Sequence, residues 1–143
     1  MVFRLDKYKI YKFSCCDEGR KIIDGQKNSD GVCVGQNTYH YFIIISPQDY
    51  SEKQSNFYVS AIPLSHSAKN YTKQTYGLTL DLDDFEGTPE DLRGSIVLCD
   101  RPMRLFKKNV MDGVKSYGRI TYPALKKIMI KIAENVSINL QVK

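Results

Sequence analysis

His40 and His66 are the only imidazoles in this chain, and each sits among groups able to share proton or phosphate chemistry with it. His40 lies between Tyr39 and Tyr41, whereas His66 follows Ser65 and is soon followed by Lys69. An imidazole titrates near neutrality, so it takes up or gives a proton, or acts as a cation where an anion raises its pKa. A serine hydroxyl can position an oxyanion by hydrogen bonding. Farther on, Arg101, Arg104, Lys107 and Lys108 make the densest basic segment, directly after Asp100. A guanidinium grips phosphate oxygens at two points, whereas an ammonium acts as a point charge. Each of these residues also has a plainer reading. His40 fits an imidazole capping a strand, Ser65 a turn serine after Pro63, Asp100 an ion-pair partner of Arg101 or Arg104, and the basic run a solvated surface.

Nothing in the sequence indicates a metal or another cofactor. Of the four cysteines, Cys15 and Cys16 are adjacent, and Cys33 and Cys99 have no neighbour at ligand spacing, which argues against zinc and against a disulfide framework. Cys99 ends the apolar run Ile96-Val97-Leu98-Cys99 and is predicted to be a buried, reduced thiol. A net charge of +5 and ten tyrosines suit a polyanionic partner, because cations neutralise phosphates and aromatic faces stack on unpaired bases. The same modest charge is common in proteins that never meet nucleic acid. The apolar run Phe42 to Ile45 is strand-sized rather than membrane-sized, and Met1 to Asp6 lacks the features of a secretory signal, so a cytoplasmic protein away from the membrane is expected.

These groups need a scaffold, and 143 residues with 42% hydrophobic content suit one globular domain spanning residues 1–143. Tyr8 to Phe13 alternates large β-forming residues with lysine and predicts a strand with one buried face. Ser14 to Thr38, with Gly19, Gly25, Gly31 and Gly35, reads as a long loop or irregular hairpin. Tyr41 to Ile45, stopped by Ser46-Pro47, predicts a central strand covered on both sides. After a polar surface connection from Gln48 to Asn56, Phe57 to Ile62 is a strand whose pairing should change near Pro63. Tyr76 to Leu82 and Ser95 to Cys99 are further strands, separated by the acidic, turn-rich segment Asp83 to Asp91.

One amphipathic helix is expected from Tyr122 to about Val136, burying Leu125, Ile128, Met129, Ile132, Ala133 and Val136. Thr121 is its N-cap, Pro123 occupies its first turn, and Lys126, Lys127, Lys131 and Glu134 form a solvated face. The alternating tail Ser137 to Val142 could add an edge strand. Several short strands and one late helix, without helices between the strands, predict a mainly β fold: a small, strongly bent antiparallel barrel.

Four segments, read in order, carry a family resemblance. Tyr8 to Phe13 with the glycine-rich stretch Ser14 to Thr38 is the first, and His40-Tyr41-Phe42-Ile43-Ile44-Ile45-Ser46-Pro47 the second. Ile62-Pro63-Leu64-Ser65-His66 is the third; Leu98-Cys99-Asp100-Arg101-Pro102-Met103-Arg104, with Gly118-Arg119-Ile120 before the helix, completes the set. Together they resemble the MazF/PemK/Kid family of toxin endoribonucleases. Each segment is short, and their co-occurrence in order is what gives the resemblance its specificity. The chain departs from the family where an Arg-Pro pair is replaced by His40-Tyr41 and a threonine by Ser65. Pro63 to Lys69 is also similar to ToxN-type toxins.

The resemblance implies an SH3-like, CcdB/PemK-type antiparallel barrel with a C-terminal helix, forming a homodimer. It implies a toxin that cuts single-stranded RNA without a metal, the substrate's 2′-hydroxyl serving as nucleophile, and a cognate antitoxin that is protein in MazF relatives and RNA in ToxN relatives. On that reading His40, at the family's arginine position, Ser65 and Arg104 are catalytic, Arg104 assisting as a phosphate ligand. His66, Lys69, Asp100 and Arg101 are further substrate contacts, and Tyr39 offers an aromatic face to a splayed base. A non-catalytic module on the same fold, directed at gyrase or at RNA, is the alternative, because fold does not fix function.

Overall fold

Strand β1 (Lys9–Cys15) and strand β2 (Thr38–Ile44) form the antiparallel centre of the molecule, in a register that sets Ile10 opposite Ile43 and Phe13 opposite His40. The computed structural model describes residues 5–15, 38–53, 56–65 and 76–141, so most of the stretch from Ser14 to Thr38 lies outside the described residues. Side chains alternate across a strand. Tyr11, Phe13, Phe42 and Ile44 therefore enter one core cluster, while Ile10 and Ile43 enter another. The second strand is covered on both sides as its unbroken apolar run predicts. The first is too: instead of one buried face it places Ile10 in one cluster and Tyr11 with Phe13 in the other.

After Ser46-Pro47 the chain forms a short helix, α1 (Gln48–Glu52), where a surface connection was expected. Strand β3 (Tyr58–Ser65) then pairs with β2, matching Phe42 to Pro63 and Ile44 to Ala61. Short strands β4 (Leu78–Thr79), β5 (Phe85–Glu86) and β6 (Ile96–Val97) precede β7 (Met103–Phe106) and β8 (Ser116–Ile120). The expected strands Tyr76 to Leu82 and Ser95 to Cys99 thus shrink to β4 and β6. The order is β4-β6-β3-β2-β1-β8-β5 with β7 also on β3, every pairing antiparallel, and the sheet curves into a half-barrel.

Pro63 does not end its strand, but the pairing partner changes there. Tyr58 to Ala61 pairs with β7, whereas Leu64 and Ser65 pair with β6. At the junction the Leu98 amide donates to the Pro63 carbonyl at 3.0 Å. Proline lacks an N–H, so it fits a strand where one edge makes no demand for a donor.

Helix α2 (Tyr122–Gln141) closes the fold. The Ala124 amide donates to Thr121 Oγ1 at 3.3 Å, the cap expected of a threonine before Tyr122-Pro123. The helix continues through the tail read as an edge strand: a short alternation of apolar residues has no strand partner here, while each added helical residue makes its own backbone bond. Its buried side is Ala124, Leu125 and Ile128, with Ile132 partly buried and Asn135 buried at the far end. Met129, Ala133 and Val136 are exposed, contrary to the expected stripe. Lys126 and Lys127 face solvent, and Lys127 pairs with Asp84 at 3.4 Å. Among the described residues no helix is long and apolar enough to cross a membrane.

Candidate active site

His40 stands near the start of β2, two residues before Phe42 and on the same side of the strand. Continuing the Phe42–Pro63 register by two residues on each strand sets His40 opposite Ser65, the last residue of β3. Such cross-strand neighbours have Cβ atoms about 5 Å apart. The imidazole reaches across to β3, where Nε2 is hydrogen-bonded to the Leu64 carbonyl. A carbonyl only accepts, so Nε2 carries the hydrogen of this bond. The ring also meets the Phe42 ring edge-on, with centroids 5.8 Å apart. His40 is half-buried, and Ser65 is 5% exposed, with Ile96 of β6 opposite it.

The basic residues separate into three environments. Arg101 Nε donates to Asp100 Oδ2 at 3.2 Å, and these side chains are 9% and 18% exposed. Asp100 thus makes the ion pair its sequence allowed, although its Oδ1 is buried without a hydrogen-bond partner. Arg104 is exposed on β7 opposite Ser60, its guanidinium 4.3 Å from the centre of the Tyr58 ring. Ser60 is five residues from Ser65, about 16 Å along a strand. Val59 and Leu105 turn toward the core cluster that holds Phe42, so Arg104 turns away from it. The structure therefore holds the His40 ring against the strand that ends in Ser65 and turns Arg104 to the other side of the sheet. Lys107, read as part of the basic surface, is buried instead and donates to the Ser51 and Lys53 carbonyls at 2.6 and 3.0 Å.

Tyr39, 45% exposed, projects from the opposite side of β2 to His40. There it joins a cluster that sequence reasoning did not single out. The Lys12 ammonium lies 4.4 Å from the centre of the Tyr39 ring, 5.7 Å from Tyr41 and 5.4 Å from Tyr117, and 3.4 Å from Asp112. Tyr117 also donates to Asp112. Its hydrogen bond holds the Asp112 carboxyl below the ordinary value, with Lys12 acting in the same direction, while partial desolvation opposes both. The only signal in the sequence is the alternation that puts Lys12 on the side of β1 matching Tyr39 and Tyr41 on β2; Tyr117 comes from the distant strand β8 and Asp112 from the 3-10 turn before it.

His66 and Lys69 lie outside the described residues. Cys99 is a free, buried thiol, and burial pushes its pKa up to about 12, so it is a poor nucleophile near neutrality. Among the described residues no group of three or more His, Cys, Asp or Glu side chains is placed to hold a metal ion.

No family model and no curated protein matches the chain by sequence. Solved structures match it by fold. One is an endoribonuclease in complex with its cognate antitoxin from a mycobacterial species, with a TM-score of 0.57 at 16% identity over 93% of this chain and 95% of that one. Another is an endoribonuclease from a mycobacterial species, with a TM-score of 0.58 at 14% identity over 96% and 95%. A third is a MazE–MazF complex from Deinococcus radiodurans, with a TM-score of 0.56 at 14% identity over 95% and 96%. At these identities the likeness is one of fold, and the half-barrel with its terminal helix is the MazF-like fold.

Proposed function

We propose that this protein is the toxin of a toxin–antitoxin pair, an endoribonuclease that cuts single-stranded RNA at a centre built on His40 and Ser65. The observation carrying this reading is the imidazole of His40 held by the Leu64 carbonyl beside Ser65, on a fold shared with endoribonucleases. The substrate's 2′-oxygen attacks the adjacent phosphorus, the bond from phosphorus to the 5′-oxygen breaks, and the products end in a 2′,3′-cyclic phosphate and a 5′-hydroxyl. Neutral His40 takes the 2′-hydroxyl proton, the Leu64 carbonyl steadies the imidazolium that results, and a solvent water gives the departing 5′-oxygen its proton. Ser65 donates to a non-bridging phosphate oxygen, a role that suits a recessed hydroxyl better than attack does. This chemistry needs no metal, since the nucleophile is supplied by the substrate. The reading extends to a homodimer in the cytoplasm, restrained by a protein antitoxin as in the matched complexes.

The test is to incubate the purified protein with a long unstructured RNA in EDTA and map the ends. Discrete cuts bearing a cyclic phosphate are expected from the wild type and are lost in His40→Ala and Ser65→Ala. Undiminished cutting by both variants overturns the site, and intact RNA across varied sequences overturns the activity. Co-purification with the product of the neighbouring gene tests the antitoxin.

A further inference from the structure

The outward side of the β3–β7 pair carries a cluster that the His40–Ser65 centre does not use. Tyr58 is 39% exposed. Tyr58 faces Phe106 across the register, their ring centres 5.4 Å apart and tilted at 44°. The Arg104 guanidinium covers Tyr58, and the Lys108 ammonium stands 6.0 Å from the centre of Phe106. These four residues comprise two aromatic rings and two cations, with no carboxylate. Among the described residues neither Arg104 nor Lys108 enters an ion pair or donates a side-chain hydrogen bond. In contrast, Arg101 is committed to Asp100, Lys127 to Asp84 and Lys12 to Asp112.

Uncompensated cations interleaved with exposed rings are complementary to a strand of unpaired nucleotides, whose phosphates need counter-charge and whose bases present flat faces. We propose that Tyr58, Arg104, Phe106 and Lys108 form an accessory platform for single-stranded RNA. Arg104 lies opposite Ser60, about 16 Å along β3 from Ser65 and on the other side of the sheet from His40, so the platform engages a part of the strand remote from the scissile phosphate. It rests on the RNA-cutting reading for its biological purpose, while the binding itself is independently measurable.

The experiment follows a fluorescent 2′-O-methyl oligonucleotide, which lacks the nucleophile, binding to the full chain by anisotropy over a range of salt concentrations. Tyr58→Ala is expected to weaken binding about 5- to 100-fold, the range for loss of one stacked base. Arg104→Ala and Lys108→Ala should each weaken binding and lower the slope of log affinity against log salt by about one. Arg104→Lys keeps the charge and should keep the slope while losing part of the affinity. Thermal melts establish that each variant is folded, as expected for exposed side chains. Affinities and slopes equal to wild type in folded variants overturn the platform, as does a change confined to self-association in sedimentation. If wild type cuts RNA while the variants bind normally, the platform fails and the activity stands. If wild type cuts nothing yet binds in an Arg104-dependent way, the platform stands and the activity fails.

Discussion

The His40 imidazole is held by the carbonyl of Leu64, the residue immediately before Ser65, so the strand that supplies the hydroxyl also orients the proton acceptor. This coupling separates structure from chemistry in a simple substitution. His40→Gln retains an N–H able to reach a carbonyl but has no titrating nitrogen. It should melt close to wild type while single-turnover cleavage of an end-labelled RNA falls by about 10²- to 10⁴-fold. Ser65→Ala should cost about 10²- to 10³-fold, and Ser65→Thr, which keeps the hydroxyl, should recover most of the rate. Equal rates for Ser65→Ala and wild type would falsify the hydroxyl's role.

A second relationship predicts acid sensitivity. Asp112 and Val114 adopt left-handed backbone, with φ of 60° and 68°, which non-glycine residues adopt only where their surroundings hold them. Tyr117 and Lys12 converge on Asp112 and hold its carboxyl below the ordinary 3.8. The folded-state value lies below the unfolded one, so this stabilisation is complete above the unfolded value and is lost as pH falls through the folded one. The urea midpoint of the wild type should therefore drop in acid more steeply than that of Asp112→Asn, the difference opening below about pH 4. Parallel curves for the two proteins would remove Asp112 from the account.

The features legible in the sequence were those fixed by near neighbours. Thr121 and Pro123 marked the start of α2 because capping is settled within one turn, and Phe42 to Ile45 marked β2 because a contiguous apolar run suits a strand covered on both sides. The choice of helix face was not legible. Apolar residues surround much of α2, and docking against the sheet decided for Ala124 and Asn135 over Met129 and Val136. The meeting of His40 with Ser65 depends on a β2–β3 register set across more than twenty residues, so only the family resemblance reached it. Arg104 was grouped with that centre by type, whereas the β3–β7 pairing that carries it to the outward side is non-local.

Gly118 of β8 packs tightly against the chain at the end of β5. Its φ is +91°, and a Cβ there would lie 2.2 Å from Thr88 Oγ1 and 2.7 Å from the Glu86 and Gly87 carbonyl oxygens. The threonine hydroxyl can rotate, but two backbone carbonyls cannot withdraw without breaking the pairing of Glu86 with Arg119. Gly118→Ala should destabilise the fold by about 2–4 kcal/mol, beyond the usual cost of a side chain in left-handed backbone. Urea denaturation measures it, and a change below about 0.5 kcal/mol would mean that β5 is free to move.

Lys107 illustrates how a cation that looks like surface becomes part of the interior. Its side chain is buried and its ammonium donates to the Ser51 and Lys53 carbonyls, closing the end of α1 whose last turn has no basic residue of its own. Burial lowers its pKa, so the amine is retained against a desolvation penalty, and the carbonyls it serves are what offset that penalty. Lys107→Met keeps the length and apolar stem but orphans both acceptors, which should cost about 1–3 kcal/mol. The loss should be local, with faster amide exchange at the Ser51 amide, which bonds to the Pro47 carbonyl, and little change at Ile45. Uniformly faster exchange throughout β1 and β2 would instead assign Lys107 to global stability, because those strands open only with the whole sheet.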